Sequence, residues 1–357
     1  MGVLLGVFLH FIGGFASGSF YIPYKKVKSW HWESYWLVGG LFSWLIAPIL
    51  AAYIIVPGFW DIIGSVSHVT LFWTYFMGVL WGIGGLTFGL SMRYLGMSLG
   101  MAIALGYCAA FGTLIPPLYY DIMGSNDGQT TISSLWHSNS GRIILGGVLL
   151  CLIGIAICGK AGVMKEKDLG ASKSTGTIVE FNLRKGILVA TISGILSSCF
   201  SFGLAFAKPI SAITEKSGVN PIFQNIPSLV VVLLGGLTTN FFWCILLNAK
   251  NKSYGDYTDA KTPLARNYLF CIIAGVTWYL QFFFYGMGSS KMGKYDFSSW
   301  TFHMAFIIIV SNVWGIYFKE WKGSAKNTMR VIFLGILTVI LSTVVVGLGN
   351  YVASLKH

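Results

Sequence analysis

Residues 78–96, GVLWGIGGLTFGLSMRYLG, and residues 275–293, GVTWYLQFFFYGMGSSKMG, are the two strings that decide the fold. They align at a constant offset of 197 residues, pairing Gly78 with Gly275, Val79 with Val276, Trp81 with Trp278, Gly89 with Gly286 and Gly96 with Gly293. An aligned tryptophan is a rarer coincidence than aligned glycines or valines. Each string belongs to an apolar stretch long enough to cross a bilayer, which takes about 20 residues.

Working outward from them, ten such stretches cover the chain: 2–24, 34–56, 69–91, 97–120, 142–162, 186–207, 226–248, 267–288, 297–318 and 330–353. The first string lies in the third stretch and the second in the eighth, each the third of five. Five is odd, so matching halves must cross the membrane in opposite senses. The expected fold is all-α, with ten transmembrane helices in two inverted five-helix repeats. Residues 1–162 form the first repeat, 163–185 a cytoplasmic linker, and 186–357 the second repeat. In secondary transporters of this plan the substrate site lies near the midplane, between the halves.

Composition agrees. The chain of 357 residues is 55% hydrophobic and 10% charged, whereas soluble domains carry roughly a quarter charged residues. Its 44 glycines suit close helix packing in lipid. The net charge of +12 sits in short loops and sets orientation, so it does not point to nucleic acid. The six cysteines all fall in apolar stretches without a CxxC pair and read as buried small hydrophobes. No basic residue precedes stretch 2–24, and Lys25, Lys26 and Lys28 follow it. That is the reverse of a cleavable signal, so it is kept as the first helix.

Placing the connections after spans one, three, five, seven and nine on one side gathers 18 of the 24 Lys and Arg there, against 6 opposite. The positive-inside rule makes the richer side cytoplasmic and puts both termini outside.

No ATP-binding loop, metal-ligand spacing or nucleophile motif is present. A pump or soluble-type enzyme is therefore not expected, nor a metal or organic cofactor. Energy must come from an ion gradient, or from nothing. Trp81 and Trp278 sit near the centres of their spans. Gln281 and Tyr285 follow Trp278 at i+3 and i+7, on one helix face. An indole face with an amide beside it suits a sugar, and Asn240 in span seven has similar depth. Packing aromatics, and an amide bonded to a neighbouring helix, are the alternatives.

None of the 12 carboxylates lies deep in a span. A charge at the bilayer centre costs at least ~2.5–3.5 kcal/mol, so deep titratable groups are functional suspects. His10 and His303 are the two deep histidines, suited to taking a proton outside and losing it inside. They also read as neutral interhelical hydrogen-bonding groups. Asp296, one or two turns before His303, either pairs with it, receives the proton first, or caps the helix. Glu33, Arg93 and Lys208 lie at span ends and read as anchors or gate ion pairs. Pro116-Pro117 should kink or break span four.

Five strings resemble the L-rhamnose–proton symporter family of the drug/metabolite transporter superfamily: YIPYKKVKSWHWESYW (21–36), LSMRYLGMSLG (90–100), WYLQFFFYG (278–286), YDFSSWTFHMAF (295–306) and FKEW (318–321). Between the motifs the chain departs from the family over 121–141 and 209–225. The resemblance implies L-rhamnose uptake with protons across the bacterial cytoplasmic membrane, by alternating access. It carries the family's motif residues onto His10, His303, Asp296, Arg93 and Trp278 to Gln281. The neighbouring alternative is a symporter for another deoxysugar or small polar metabolite. An exporter of cationic amphiphiles would want a deep carboxylate, and the chain has none.

Overall fold

The structure, a computed structural model, describes residues 2–95, 97–124, 130–169, 183–293, 296–319 and 321–355. Among the described residues it holds helices and no strand. Ten helical stretches are long and apolar enough to cross a membrane: Gly2–Tyr24, Trp32–Ile55, His68–Ser91, Ile103–Ile122, Asn139–Lys165, Arg184–Lys216, Pro221–Asn251, Leu264–Ser289, Ser298–Tyr317 and Lys326–Ala353. All ten expected spans are there, with moved ends. The largest change is at span six, where a separate helix, Lys208–Lys216, continues past a break at Ala207. Pro209 lacks the N–H that would carry the first helix onward.

Large apolar side chains such as Tyr53, Ile122 and Phe242 lie exposed. In water such a surface would associate; in lipid it is matched by its solvent.

Two spans carry internal prolines, with different outcomes. Span two is interrupted by a π-helical turn, Phe42–Ile46, just before Pro48. Pro48 cannot donate to the carbonyl four residues back, and the wider turn absorbs the mismatch. Span four does not break at Pro116 and Pro117: the helix runs unbroken as Met97–Met123. Its loss is compensated from outside. Pro116 leaves the Gly112 carbonyl without a helical donor, and the Ser201 hydroxyl of span six donates to it at 3.0 Å.

Span three packs on spans six and seven, and span eight on spans one and two. Span four packs on six, span nine on one, and spans five and ten on each other. A side chain at Gly78 would strike the Val232 carbonyl, and one at Gly275 the Gly39 carbonyl. Backbone therefore meets backbone where three crosses seven and where eight crosses two.

Both chain ends share one face. Gly2 lies beside Lys291, and Ala353 packs in one cluster with Leu135 and Met292. This terminal face also carries segments 208–224 and 289–293. The opposite, basic face carries Lys25, Lys26, Lys28, Lys250, Lys252 and Lys261.

Candidate functional site

A cavity of about 370 Å³ lies on the terminal face, walled by spans four, six, eight and nine and by segment 208–224. That is within the range of small-ligand pockets, roughly 300–1,000 Å³. Its floor is set by span nine. Trp300 is nearly fully buried, donates its indole N–H to the Cys108 carbonyl at 2.9 Å, and lies parallel to Phe200 at 5.6 Å. Tyr285 stands edge-on to Trp300 at 6.0 Å and also lines the cavity.

Behind Tyr285 lie the two predicted histidines. Its ring is 5.4 Å from that of His10 and 5.2 Å from that of His303. Both imidazoles are buried, at 0% and 1% exposure. His10 Nδ1 and Nε2 and His303 Nδ1 have no hydrogen-bond partner among the described residues. Most buried polar atoms are paired, so three free imidazole nitrogens around one tyrosine mark a place able to accept or pass a proton.

Asp296 is not paired with His303. Its carboxylate meets the Lys208 ammonium at 3.3 Å on the cavity wall, both groups partly exposed. Gly293, shortly before it in the chain, has a φ of +59°, which glycine adopts without strain. Segment 208–224 is fastened to span eight through Asn225, which accepts from Ser211 at 2.9 Å and donates to the Gly286 carbonyl at 2.8 Å.

Below the cavity the interior is sealed by rings. Phe200 contacts Phe282 at 4.3 Å, Phe282 contacts Trp278 at 4.8 Å, and Trp278 lies over Trp81 at 5.6 Å. Trp44 meets Trp278 at 5.3 Å and Trp36 at 6.0 Å. The gap that remains among Phe20, Tyr24, Trp36, Trp44 and Trp278 is about 10 Å³. A single water needs ~10–15 Å³, so no sugar passes here in this conformation.

The expected sugar-binding set is therefore divided. Tyr285 reaches the cavity, while Trp81 and Trp278 stand in the seal beneath it. Gln281 is buried, with Nε2 unpartnered among the described residues. Asn240 accepts from the Trp36 indole at 3.0 Å and donates to the Gly236 carbonyl at 2.9 Å, tying span two to span seven. Glu33 is buried at the basic face and accepts from Ser253 at 2.7 Å and Asn251 at 2.9 Å. The Arg93 side chain, Gly96, Tyr295 and Glu320 lie outside the described residues. Sequence reasoning missed Trp36, Trp44 and Trp300. Pro48 was the available signal for Trp44, since a proline in mid-span displaces the turn before it.

Ten apolar spans around a cavity reached from one face and sealed by aromatics toward the other define a secondary membrane transporter. The comparison with known families agrees. The chain belongs to the L-rhamnose-proton symport protein (RhaT) family, whose pattern matches residues 1–352. It is similar to the L-rhamnose-proton symporter of Pectobacterium carotovorum subsp. carotovorum (strain PC1), with 40% identity over 351 residues, 97% of this chain and 98% of the relative. The L-rhamnose-proton symporter of Yersinia pestis (strain Pestoides F) is likewise 40% identical over 351 residues, with the same shares covered.

Proposed function

We propose that this protein takes up L-rhamnose together with protons across the bacterial cytoplasmic membrane by alternating access. Near end-to-end membership of the rhamnose symporter family carries this reading. The basic face is cytoplasmic in it, and the cavity and both termini face outward, because short basic loops are retained inside. The two halves, 1–162 and 186–357, are inverted repeats. Support comes from the packing, in which adding five to each span number turns the three–six, three–seven and four–six contacts into the eight–one, eight–two and nine–one contacts.

The sugar enters the cavity against Tyr285, beside the Lys208–Asp296 pair. A proton reaches His10 and His303 by way of Asp296 and Tyr285. As the halves rock, the seal at Trp81 and Trp278 parts, and their indole faces with Gln281 and Asn240 line the way inward. The proton gradient is the energy source, and no cofactor is needed. One proton moving down ~100 mV and one pH unit releases about 2.3 and 1.4 kcal/mol respectively. Together these sustain a concentration ratio of several hundredfold, with each ~1.4 kcal/mol worth a factor of ten.

Proteoliposomes with an imposed pH gradient test this directly. Accumulation of labelled L-rhamnose that disappears when the gradient is collapsed is the expected result. No accumulation, or accumulation indifferent to the gradient, overturns it. Competition by other deoxysugars reads out the alternative substrate class.

A further inference from the structure

The cavity leaves unexplained what holds the opposite face shut. Aromatic rings fill the seal, but the burial of apolar surface is non-directional and lets helices slide. At the basic face the two halves are joined instead by directional bonds to two carboxylates, and these bonds are reciprocal. Glu33, from the first half, accepts from Ser253 and Asn251 of the second. Asp256, from the second half, accepts on one oxygen from first-half donors: the His31 backbone N–H at 2.7 Å, its ring Nδ1 at 3.0 Å and the Ser34 hydroxyl at 2.7 Å.

The placement of Asp256 is specific. His31 is the residue that starts the helix Trp32–Leu41, and its own side chain makes no cap. The Asp256 carboxylate, from the other half, accepts from the His31 N–H at this helix end, where the helix dipole and the free N–H groups favour an anion. Glu33, in the first turn of the same helix, adds a second negative group at the same end. When the halves separate, span two keeps Glu33 but loses Asp256. The short helical turn Ser253–Tyr257, which bears the carboxylate, is carried off with span seven.

We propose that Asp256 and Glu33 are positioning residues of the transport cycle, a two-carboxylate bolt between segments 31–34 and 251–256 that holds the basic face closed while the cavity is open. The bolt rests on the alternating-access reading above but not on the identity of the sugar. Hydrogen bonds to charged groups are the strong class, so removing one carboxylate should shift the balance between the two conformations roughly tenfold. A ligand that binds from the cavity side then meets fewer competent molecules and binds more weakly, by at most the same factor.

Hydrogen–deuterium exchange on the full-length protein in lipid nanodiscs tests the bolt, comparing wild type with Asp256→Ala, Asp256→Asn and Glu33→Gln. The expected result for Asp256→Ala is about tenfold faster exchange in 31–44 and 251–257, accompanied by slower exchange in 208–224 and 289–293, on the far side of the membrane. Local loosening alone gives the first change without the second. In proteoliposomes the same variant should slow gradient-driven uptake yet keep equilibrium exchange of labelled L-rhamnose. Faster exchange confined to the basic face, or unchanged exchange in all three variants, overturns the proposal. Should Asp256→Ala not fold, Asp256→Asn and Ser34→Ala carry the same two-sided readout. A wild-type protein that does not accumulate L-rhamnose would overturn the sugar assignment and leave the exchange result to decide the bolt.

Discussion

The indole rings of Trp81 and Trp278 lie nearly parallel, 29° apart, with their centroids separated by 5.6 Å. They are the same two residues that occupy equivalent places in the strings 197 positions apart. One ring comes from span three and the other from span eight, so they lie where residues 1–162 meet residues 186–357. Their contact is thus the centre of the seal between cavity and basic face.

Truncating Trp278 should therefore open the seal as well as weaken the fold. Trp278→Ala removes contacts with Trp81, Trp44, Phe282 and Phe20. Trp278 is partly buried, so losing its indole should cost less than the ~3–5 kcal/mol typical of a fully buried one. The expected phenotype is reduced thermal stability together with gradient-independent efflux of L-rhamnose from preloaded vesicles, while Trp278→Phe keeps most of the seal.

His10→Ala and His303→Ala should each abolish pH-gradient-driven accumulation while sparing sugar exchange. Both rings sit against Tyr285, and neither lines the cavity itself. Accumulation that survives in either variant removes that histidine from the proton path. Tyr285→Phe keeps the ring packing and removes only the hydroxyl, and should slow uptake without altering the melting temperature.

The Lys208–Asp296 pair separates function from stability. Both partners are partly exposed, so their attraction is worth at most about 1 kcal/mol. Asp296→Asn and Lys208→Met should leave thermal stability almost unchanged. Uptake assays should nevertheless register a loss on the order of tenfold, far more than a pair of that strength accounts for as mere anchoring.

Asn240→Ala has a predictable structural cost. It leaves the Trp36 indole N–H without its acceptor inside the protein. Trp36 is partly buried, so the loss costs at most the ~1–3 kcal/mol of a buried unpaired donor, to be read as a lowered melting temperature in detergent. Asn240→Asp keeps an acceptor for that N–H but loses the donor to Gly236, and should fall between.

Asp168 gives a pH-dependent term outside the spans. It accepts from the Thr328 hydroxyl and from the Ala325 backbone N–H, capping the helix Lys326–Ser354 from the end of span five. The Thr328 bond and then the Ala325 bond hold its carboxyl below the usual aspartate value of 3.8. Because the folded value is the lower one, the stabilisation is fully present above the unfolded value and is lost as pH falls through the folded one. The stability difference between wild type and Asp168→Asn should be constant near neutrality and vanish progressively below about pH 4. A difference that persists into stronger acid would contradict this account.

Much of the fold could be read from residue order. Ten spans follow from the lengths of apolar runs, because lipid forces each backbone polar group to pair within its own helix. The strings at 78–96 and 275–293 picked out the two spans whose tryptophans meet. His10 and His303 were found because deep titratable groups are rare. Asp296 was found as well, but its partner was not. Sequence proximity offered His303 as one possible partner, beside a first proton acceptor or a helix cap, whereas the structure places the carboxylate against Lys208, 88 residues away in the chain.

The sequence by itself therefore determined the class, the number of spans and the identity of the buried histidines, since each depends on local hydrophobicity or on spacing. Only the tertiary structure decided that Trp81 and Trp278 close a seal, that the open cavity lies above them against Trp300 and Tyr285, and that Asp256 caps a helix of the other half. Those relations depend on which helix faces cross. That is set by backbone approach at Gly78 and Gly275 and by contacts such as the Ser201 bond to the carbonyl that Pro116 frees, and no run of neighbouring residues encodes it.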